Sequence, residues 1–439
     1  MFALSQITFK TSRSIAKAIV LNIGKEDPQR IAKRIVRLMD LKWQMLRPTV
    51  ILSVTGGAQN LELSQHKELA LMEGLVSAAQ VSGAAIISAG TDAGLAQLLG
   101  QALRETRGVD VPLIGVVPFG AVKGHEGLRQ HIQDKQEVMQ PSLLGWQVDL
   151  GRIKYTYTAL DNCRDAAALE PNHSHYVIAD DGSRGFEAWG TEISLRSQIY
   201  LEMRARFNAP TVLVVVQGGP GTLKTVREAL HHSVPTVLIC GSGGAADLLA
   251  HWCRNADSRD ADSRDADSPN PNDDADFPDD GGTCDIKGLS REKLANLRTV
   301  MGEKWLAELR TMVGEKREHI TSVDLGQADK EEIDQKILQA VLSDNERRQH
   351  TLLSSTATTI SDDREPCGLE RADTSEIKFD DVGKFVSQQQ RDQRDKAIYK
   401  LRVAVHWGRA DIVESTIGDN PNTRDFLQDR ALHLAIEMR

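Results

Sequence analysis

The sequence predicts an α/β domain built on a doubly wound, mostly parallel sheet, followed by an α-helical region. Three observations carry this reading. At least six short apolar runs alternate with stretches of helical periodicity, the pattern of successive βαβ units. Almost every one of these runs ends in a glycine-containing turn. The run at 211–216 (TVLVVV) is uncharged and β-branched apart from Leu213, as a strand buried on both faces requires.

In chain order, residues 1–48 read as an approach segment. Within it, 15–21 and 31–41 carry apolar residues at helical spacing, for example Ile31, Ile35, Leu38 and Met39, and Trp43 anchors the segment on the domain that follows. Residues 50–54 (VILSV) form the first strand and run into Thr55, Gly56, Gly57, Ala58, Gln59 and Asn60. A helix over about 64–80 places Leu69, Met72, Leu75, Val76 and Ala79 on one face. The second strand, 84–88 (AAIIS), ends in Ala89, Gly90, Thr91, Asp92, Ala93 and Gly94, and a helix with Leu95, Leu98, Leu99, Ala102 and Leu103 follows. The third, 112–117 (PLIGVV), gives way to an irregular polar region reaching about Arg164. The fourth, 175–179 (HYVIA), ends in Asp180, Asp181 and Gly182. After 211–216 come Gly218, Gly219, Pro220, Gly221 and Thr222, then a helix with Leu223, Val226 and Leu230. Residues 235–240 (PTVLIC) end in Gly241, Ser242, Gly243 and Gly244.

A strand, a glycine-rich turn and a helix in succession aim backbone N–H groups and a helix N-terminus at an anion. In open parallel sheets, ligands bind beyond the carboxyl ends of the strands, where the chain order reverses. Five glycine turns, after Val54, Ser88, Ala179, Gln217 and Cys240, fall at that edge. They predict a phosphate- or nucleotide-type pocket in a Rossmann-like domain over 49–253. The competing reading of each turn is a tight connection that binds nothing.

The net charge of −9 argues against non-specific nucleic-acid binding. Five cysteines without C-x-x-C spacing suggest a reducing compartment, with neither structural zinc nor a disulfide framework. No run approaches the roughly 18 apolar residues of a membrane span. The first residues lack a signal-peptide core, although their basic, Ser/Thr-containing start mimics a weak transit sequence. These features read as cytosolic. Residues 254–280 hold ten aspartates against three arginines and one aromatic, Phe277, so 254–285 reads as a disordered acidic insertion rather than a Ca²⁺ site, since no D-x-D-x-D-G loop is present. Residues 286–343 read as helical, 344–394 as a polar linker, and 395–439 as the start of ankyrin-like helical repeats. His173 and His175 share a strand face as candidate metal ligands or hydrogen-bonding residues, and His231 with His232 reads as a helix C-terminal cap.

Taken together, SVTGGAQN (53–60), IISAGTDAGL (86–95), IGVVPFG (114–120), NHSHYVIADDG (172–182), QGGPGTL (217–223) and CGSGGAADLLA (240–250) resemble the cytosolic N-terminal region of melastatin-subfamily transient receptor potential channels (TRPM). The likeness continues through ITSVDL…EEIDQKILQAVLS (320–343) and LRVAVHWGRADIVES (401–415), and covers roughly 7–253 and 286–439. It implies a Rossmann-like domain of the SLOG superfamily, followed by helical repeats. In some members this domain binds ADP-ribose or related nucleotides and helps gate a calcium-permeable cation channel at the plasma membrane, as a tetramer.

Position by position, Thr55, Gly56, Gly57 and Ala58 match the family's first glycine turn, and 218–222 its phosphate-binding turn. Arg196 matches an arginine that contacts the ligand, and a guanidinium fork suits a diphosphate. Trp189 stands where ADP-ribose-binding members carry a tyrosine. Gly244 stands where they carry an arginine, a departure that should remove roughly 1.5–3 kcal/mol of charge-assisted hydrogen bonding. The full set of expected ligand residues adds Asn60, Gly90, Thr91, Asp181, Gly182, Gly241, Ser242 and Gly243; no catalytic residue, metal or cofactor is expected.

The Lonely-guy nucleotide phosphoribohydrolases of the same superfamily carry PGG-x-GT-x-x-E. Here Lys224 and Thr225 follow the turn, and Glu228 lies one helical turn further on. The carboxylate that N-glycosidic cleavage needs is therefore missing from its expected place. The resemblance thus implies a non-enzymatic nucleotide-sensing module of a channel, with a Lonely-guy-type hydrolase and a purely structural assembly domain as alternatives.

Overall fold

The computed structural model describes residues 2–24, 26–43, 48–57, 61, 63–106, 111–137, 153–159, 165–262 and 291–358, with scattered positions between 397 and 432. The chain divides into two units, Met1–Asp344 and Asn345–Arg439. The first unit holds one ten-stranded sheet. Its strands are β1 (Phe2–Phe9), β2 (Ile15–Asn22), β3 (Val50–Gly56), β4 (Ala84–Ser88), β5 (Leu113–Pro118), β6 (Ile153–Tyr157), β7 (His175–Asp180), β8 (Thr211–Val216), β9 (Thr236–Cys240) and β10 (Ile320–Asp324). They lie in the order β10-β9-β8-β3-β4-β5-β7-β2-β1-β6. Only the β1–β2 pair is antiparallel.

The helices are α1 (Pro28–Leu38), α2 (Gln65–Ser82), α3 (Gly94–Glu105), α4 (His125–Glu137), α5 (Ile193–Phe207), α6 (Pro220–His231), α7 (Gly244–Asp262), α8 (Arg291–Met301), α9 (Glu303–Glu315) and α10 (Lys330–Thr358). The central strands β3, β4, β5, β8 and β9 are buried along almost their whole length, as their uninterrupted apolar sequences require. The chain runs outward from β3 to β4 and β5, then returns to the other side of β3 as β8 and β9. The order therefore reverses between β3 and β8, which places the crevice at the carboxyl ends of those two strands.

Five segments differ from the sequence reading. The 15–21 run is a strand, not a helix. Ala16, Ala18 and Val20 pack into one core cluster and Ile19 and Leu21 into the other, so both faces are apolar and the run matches either periodicity. Residues 320–324, expected within a helical stretch, form β10 beside β9. The polar region after β5 contains α4 and also β6, which pairs with β1. Finally, α7 continues into the acidic run as far as Asp262, and α10 continues into the expected linker as far as Thr358. The rest of the acidic run and of the linker, and most of the expected repeats, lie outside the described residues. In the second unit, Ala397, Leu401, Leu427 and Ala431 form a small buried cluster.

The start of α10 docks on α2. A Cβ at Gly74 would lie 2.9 Å from side-chain carbons of Ile333, and Ser77 Oγ donates to Asp334 Oδ2 at 2.6 Å. The other carboxylate oxygen of Asp334 is buried without a partner. Burial pushes the Asp334 pKa up to about 6, against the Ser77 hydrogen bond and with a smaller push from Glu331. Because the folded pKa lies above the ordinary aspartate value of 3.8, the ionised group penalises the native state above pH 6, and that penalty fades as the pH falls towards 4. Asp334→Asn, whose amide oxygen still accepts from Ser77, is expected to stabilise the protein by about 1–2 kcal/mol at pH 8, with screening by solvent included. Urea denaturation at pH 8 and pH 4 checks this: the gain should be present at the first and largely gone at the second.

Candidate functional site

A cavity of about 110 Å³ opens at the reversal of strand order. Its walls come from the end of β3 and the residue after it (Thr55, Gly56, Gly57), the end of β4 and the turn beyond it (Ser88, Thr91), the start of α5 (Glu192, Arg196) and the first turn of α6 (Gly221, Thr222), with Trp189 at the rim. Thus Thr55, Gly56, Gly57, Thr91, Trp189, Arg196, Gly221 and Thr222, all expected at a ligand site, line one cavity. The first-turn amides of α6 lack intrahelical acceptors and suit an anion.

Arg196 supplies the cavity's cation. It is 4% exposed. Nη2 donates to Thr225 Oγ1 at 3.2 Å, and Nη1 lies 3.9 Å from Glu192 Oε1. Nε is buried with no protein partner. A buried, unsatisfied donor on a charged group is costly and favours an incoming acceptor. Burial raises the pKa of Glu192, against the pull of Arg196 and of hydrogen bonds including that from the Gly190 N–H. Trp189 is 37% exposed and fixed at its edge by Nε1 donating to the Asp165 carbonyl at 2.7 Å.

The remaining expected residues lie elsewhere. Ala58 and Asn60 fall outside the described residues. Gly90 lies behind β4, where its carbonyl accepts from the Tyr176 hydroxyl. The Gly218 carbonyl accepts from the Ala245 N–H at 3.0 Å, holding this turn against the start of α7 rather than opening it to the cavity; Gly219, the N-cap of α6, and Pro220 are likewise absent from the cavity walls. Gly241 and Gly243 donate their N–H groups to the two carboxylate oxygens of Asp247, at 2.6 and 2.9 Å. Their anion is therefore internal. The Ser242 hydroxyl donates to the Ile239 carbonyl and accepts from the Gln217 N–H. Asp181 accepts from Ser183, and Gly182 borders a separate cavity of about 340 Å³ where Arg129 and Arg184 both pair with Asp180.

The histidines are structural in this geometry. His173 Nε2 meets Ser88 Oγ and Nδ1 meets Glu170 Oε2, both at 2.7 Å. The His175 ring packs 4.6 Å from that of Trp43. Burial, with Lys17 nearby, lowers the His175 pKa to about 4. His231 and His232 close α6 with rings 5.1 Å apart. Among the described residues no group of three or more His, Cys, Asp or Glu is placed to hold a metal ion, and no helix is long and apolar enough to cross a membrane.

Sequence reasoning missed Glu192 and Ser88. Glu192 was readable, because it lies four residues before Arg196 and so shares its helix face. Thr225 stands where a Lonely-guy enzyme carries its glutamate. It is fully buried and its hydroxyl donates to the Gly221 carbonyl at 3.0 Å. Glu228 borders a different cavity, so among the described residues Glu192 is the carboxylate lining the Arg196 cavity.

Comparison with known proteins agrees with this architecture. The chain is 33% identical over 233 residues to transient receptor potential cation channel subfamily M member-like 2 of Nematostella vectensis, which is 50% of this chain and 14% of that protein. It is 29% identical over 254 residues to subfamily M member 2 of Mus musculus, 54% of this chain and 15% of that protein. It is 31% identical over 231 residues to subfamily M member 7 of Rattus norvegicus, 49% and 11% respectively. The matched part is thus a small fraction of each relative's length. A family model described as the SLOG domain in TRPM matches residues 25–268, the stretch from α1 to just beyond α7 that contains the whole cavity, and the chain belongs to that family.

Proposed function

We propose that this domain is a non-catalytic nucleotide sensor of a calcium-permeable TRPM-type cation channel, on the cytosolic face of the plasma membrane, contributing to gating and to assembly as a homotetramer. The observation that carries the reading is Arg196, a buried cation with an unsatisfied Nε, lining a cavity beside the first turn of α6. At about 110 Å³ the cavity suits a phosphate or ribose-phosphate group, well short of the roughly 300 Å³ or more of a pocket that engulfs a drug-sized ligand. The rest of an ADP-ribose-like ligand would lie outward, against the exposed face of Trp189.

A second reading has one specific observation behind it. Glu192, buried beside Arg196 with a raised pKa, is a carboxyl group of the kind that could protonate a leaving base in N-glycosidic hydrolysis. Isothermal titration with ADP-ribose and with AMP, followed by chromatography of the products, separates the two. Saturable heat without base or phosphate release is expected. Arg196→Ala should weaken binding at least about tenfold. Trp189→Ala, at a more exposed position, should weaken it without loss of folding. Turnover that is abolished by Glu192→Gln would overturn the sensor reading in favour of the hydrolase.

A further inference from the structure

A second cavity of the first unit shares none of its lining residues with the Arg196 cavity. It is a groove of about 630 Å³ between α2, α3 and the start of α10. One face of α2 lines it from Gln65 to Gln80, a run of about 22 Å at 1.5 Å per residue. Its floor is apolar, with Leu69, Met72 and Val76 from α2 and Leu98 from α3. Leu69, in the second turn of α2, is 56% exposed beside the buried Met72 and Val76. Its rim is acidic: Glu68, Glu73, Glu105, Glu331 and Asp334 face a single basic residue, Lys330, which lies 3.8 Å from Glu73.

Two features point to what covers it. The first is shape. Positions 65, 68, 69, 72, 73, 76, 77 and 80 form one face of α2 along the groove, and a groove that follows a helix face for about four turns has the length to take a second helix laid beside it. The second is charge. Among the described lining residues five carboxylates stand against one lysine. A helix carrying lysine or arginine beside an apolar stripe supplies both the apolar contact and cations for the rim.

We propose that this groove docks a basic amphipathic helix of a partner polypeptide. The partner's apolar stripe seats on Leu69, Met72 and Val76, and its cations pair with the rim. This surface is independent of the nucleotide reading, because no residue is shared between the two cavities.

The test is fluorescence anisotropy of the full chain with a labelled peptide of about 16 residues. The peptide carries leucines at i, i+3 and i+4 spacing and lysines and arginines elsewhere. A second peptide replaces every cation by glutamate. Saturable binding of the basic peptide alone is expected, weakened by added salt. Leu69→Asp makes the protein more acidic, so general charge attraction would tighten binding, whereas docking in the groove predicts a loss of at least about tenfold. Glu68→Lys with Glu105→Lys should weaken binding to a similar extent, and both variants alter exposed or half-buried side chains, so a thermal melt serves as the folding control. Equal or tighter binding by Leu69→Asp, or no saturable binding by the parent chain, would overturn the proposal. So would a concentration-dependent dimer in sedimentation that Leu69→Asp abolishes, which would assign the groove to a second copy.

Discussion

Gly244→Arg is expected to destabilise the domain by about 2–6 kcal/mol without creating affinity for ADP-ribose. The resemblance places an arginine at this position, so the substitution is the obvious attempt to restore a diphosphate contact. The backbone forbids it here. Gly244 has φ +60°, a conformation that costs a side-chain-bearing residue about 1–3 kcal/mol. A Cβ there would lie 2.2 Å from the Gly218 carbonyl oxygen and 3.1 Å from the Gln217 carbonyl carbon. Those two residues also anchor the start of α7, through Ala245 N–H to the Gly218 carbonyl and Ala246 N–H to the Gln217 carbonyl, each at 3.0 Å. Relieving the clash therefore moves the turn after β8 away from α7, an overpacking cost of about 1–3 kcal/mol more. Gly244→Ala carries both the positive-φ cost and the Cβ clash, and should account for most of the loss. Thermal melts of both variants, with ADP-ribose titrations alongside, check the argument. A Gly244→Arg protein with unchanged stability and at least tenfold tighter ADP-ribose binding would show that the turn accommodates a side chain.

The same turn explains how far the site was legible in sequence. Glycine runs after strands announced tight turns at the carboxyl edge, and the end of β3, with Gly57, and the first turn of α6 do line the cavity with Arg196. Glycine content does not reveal which acceptor takes the amides. At Gly241 and Gly243 it is Asp247, a carboxylate of the same chain, which only the path of α7 brings into place. The parallel strands were readable because they are buried on both faces and almost uninterrupted by polar residues. The edge and outer strands were not. β2 is apolar on both faces and mimics a helix over so short a run. In β10, Thr321, Ser322 and Asp324 accompany just two fully buried apolar residues, Ile320 and Val323, too few to set a period. Both strands are fixed by pairing with distant partners, β7 and β9, which is tertiary information.

The largest loss of stability from a single polar change is expected at Glu170. Its side chain is 1% exposed and accepts from His173 Nδ1 at 2.7 Å, from Asn172 Nδ2 at 2.5 Å and from the Asn172 N–H at 2.9 Å. His173 in turn meets Ser88 Oγ, which also accepts from the Gly90 N–H at 3.2 Å. The network therefore ties the loop before β7 to the end of β4, where Ser88 forms part of the cavity wall. Glu170→Ala removes one acceptor group and leaves buried donors without partners, a cost of about 3–5 kcal/mol. Glu170→Gln keeps the shape and one acceptor oxygen, so it should lose less. Gly100 provides an independent probe from the opposite side. A Cβ there would lie 2.1 Å from Glu170 Oε2, so Gly100→Ala, on helix α3 where alanine otherwise favours the helix by about 0.8–1.0 kcal/mol over glycine, should instead destabilise. Urea denaturation of the three variants measures the order, with Glu170→Ala least stable. A stabilised Gly100→Ala would mean that Glu170 can leave its position, and then the contacts of His173 and Ser88 are not what holds this wall of the cavity.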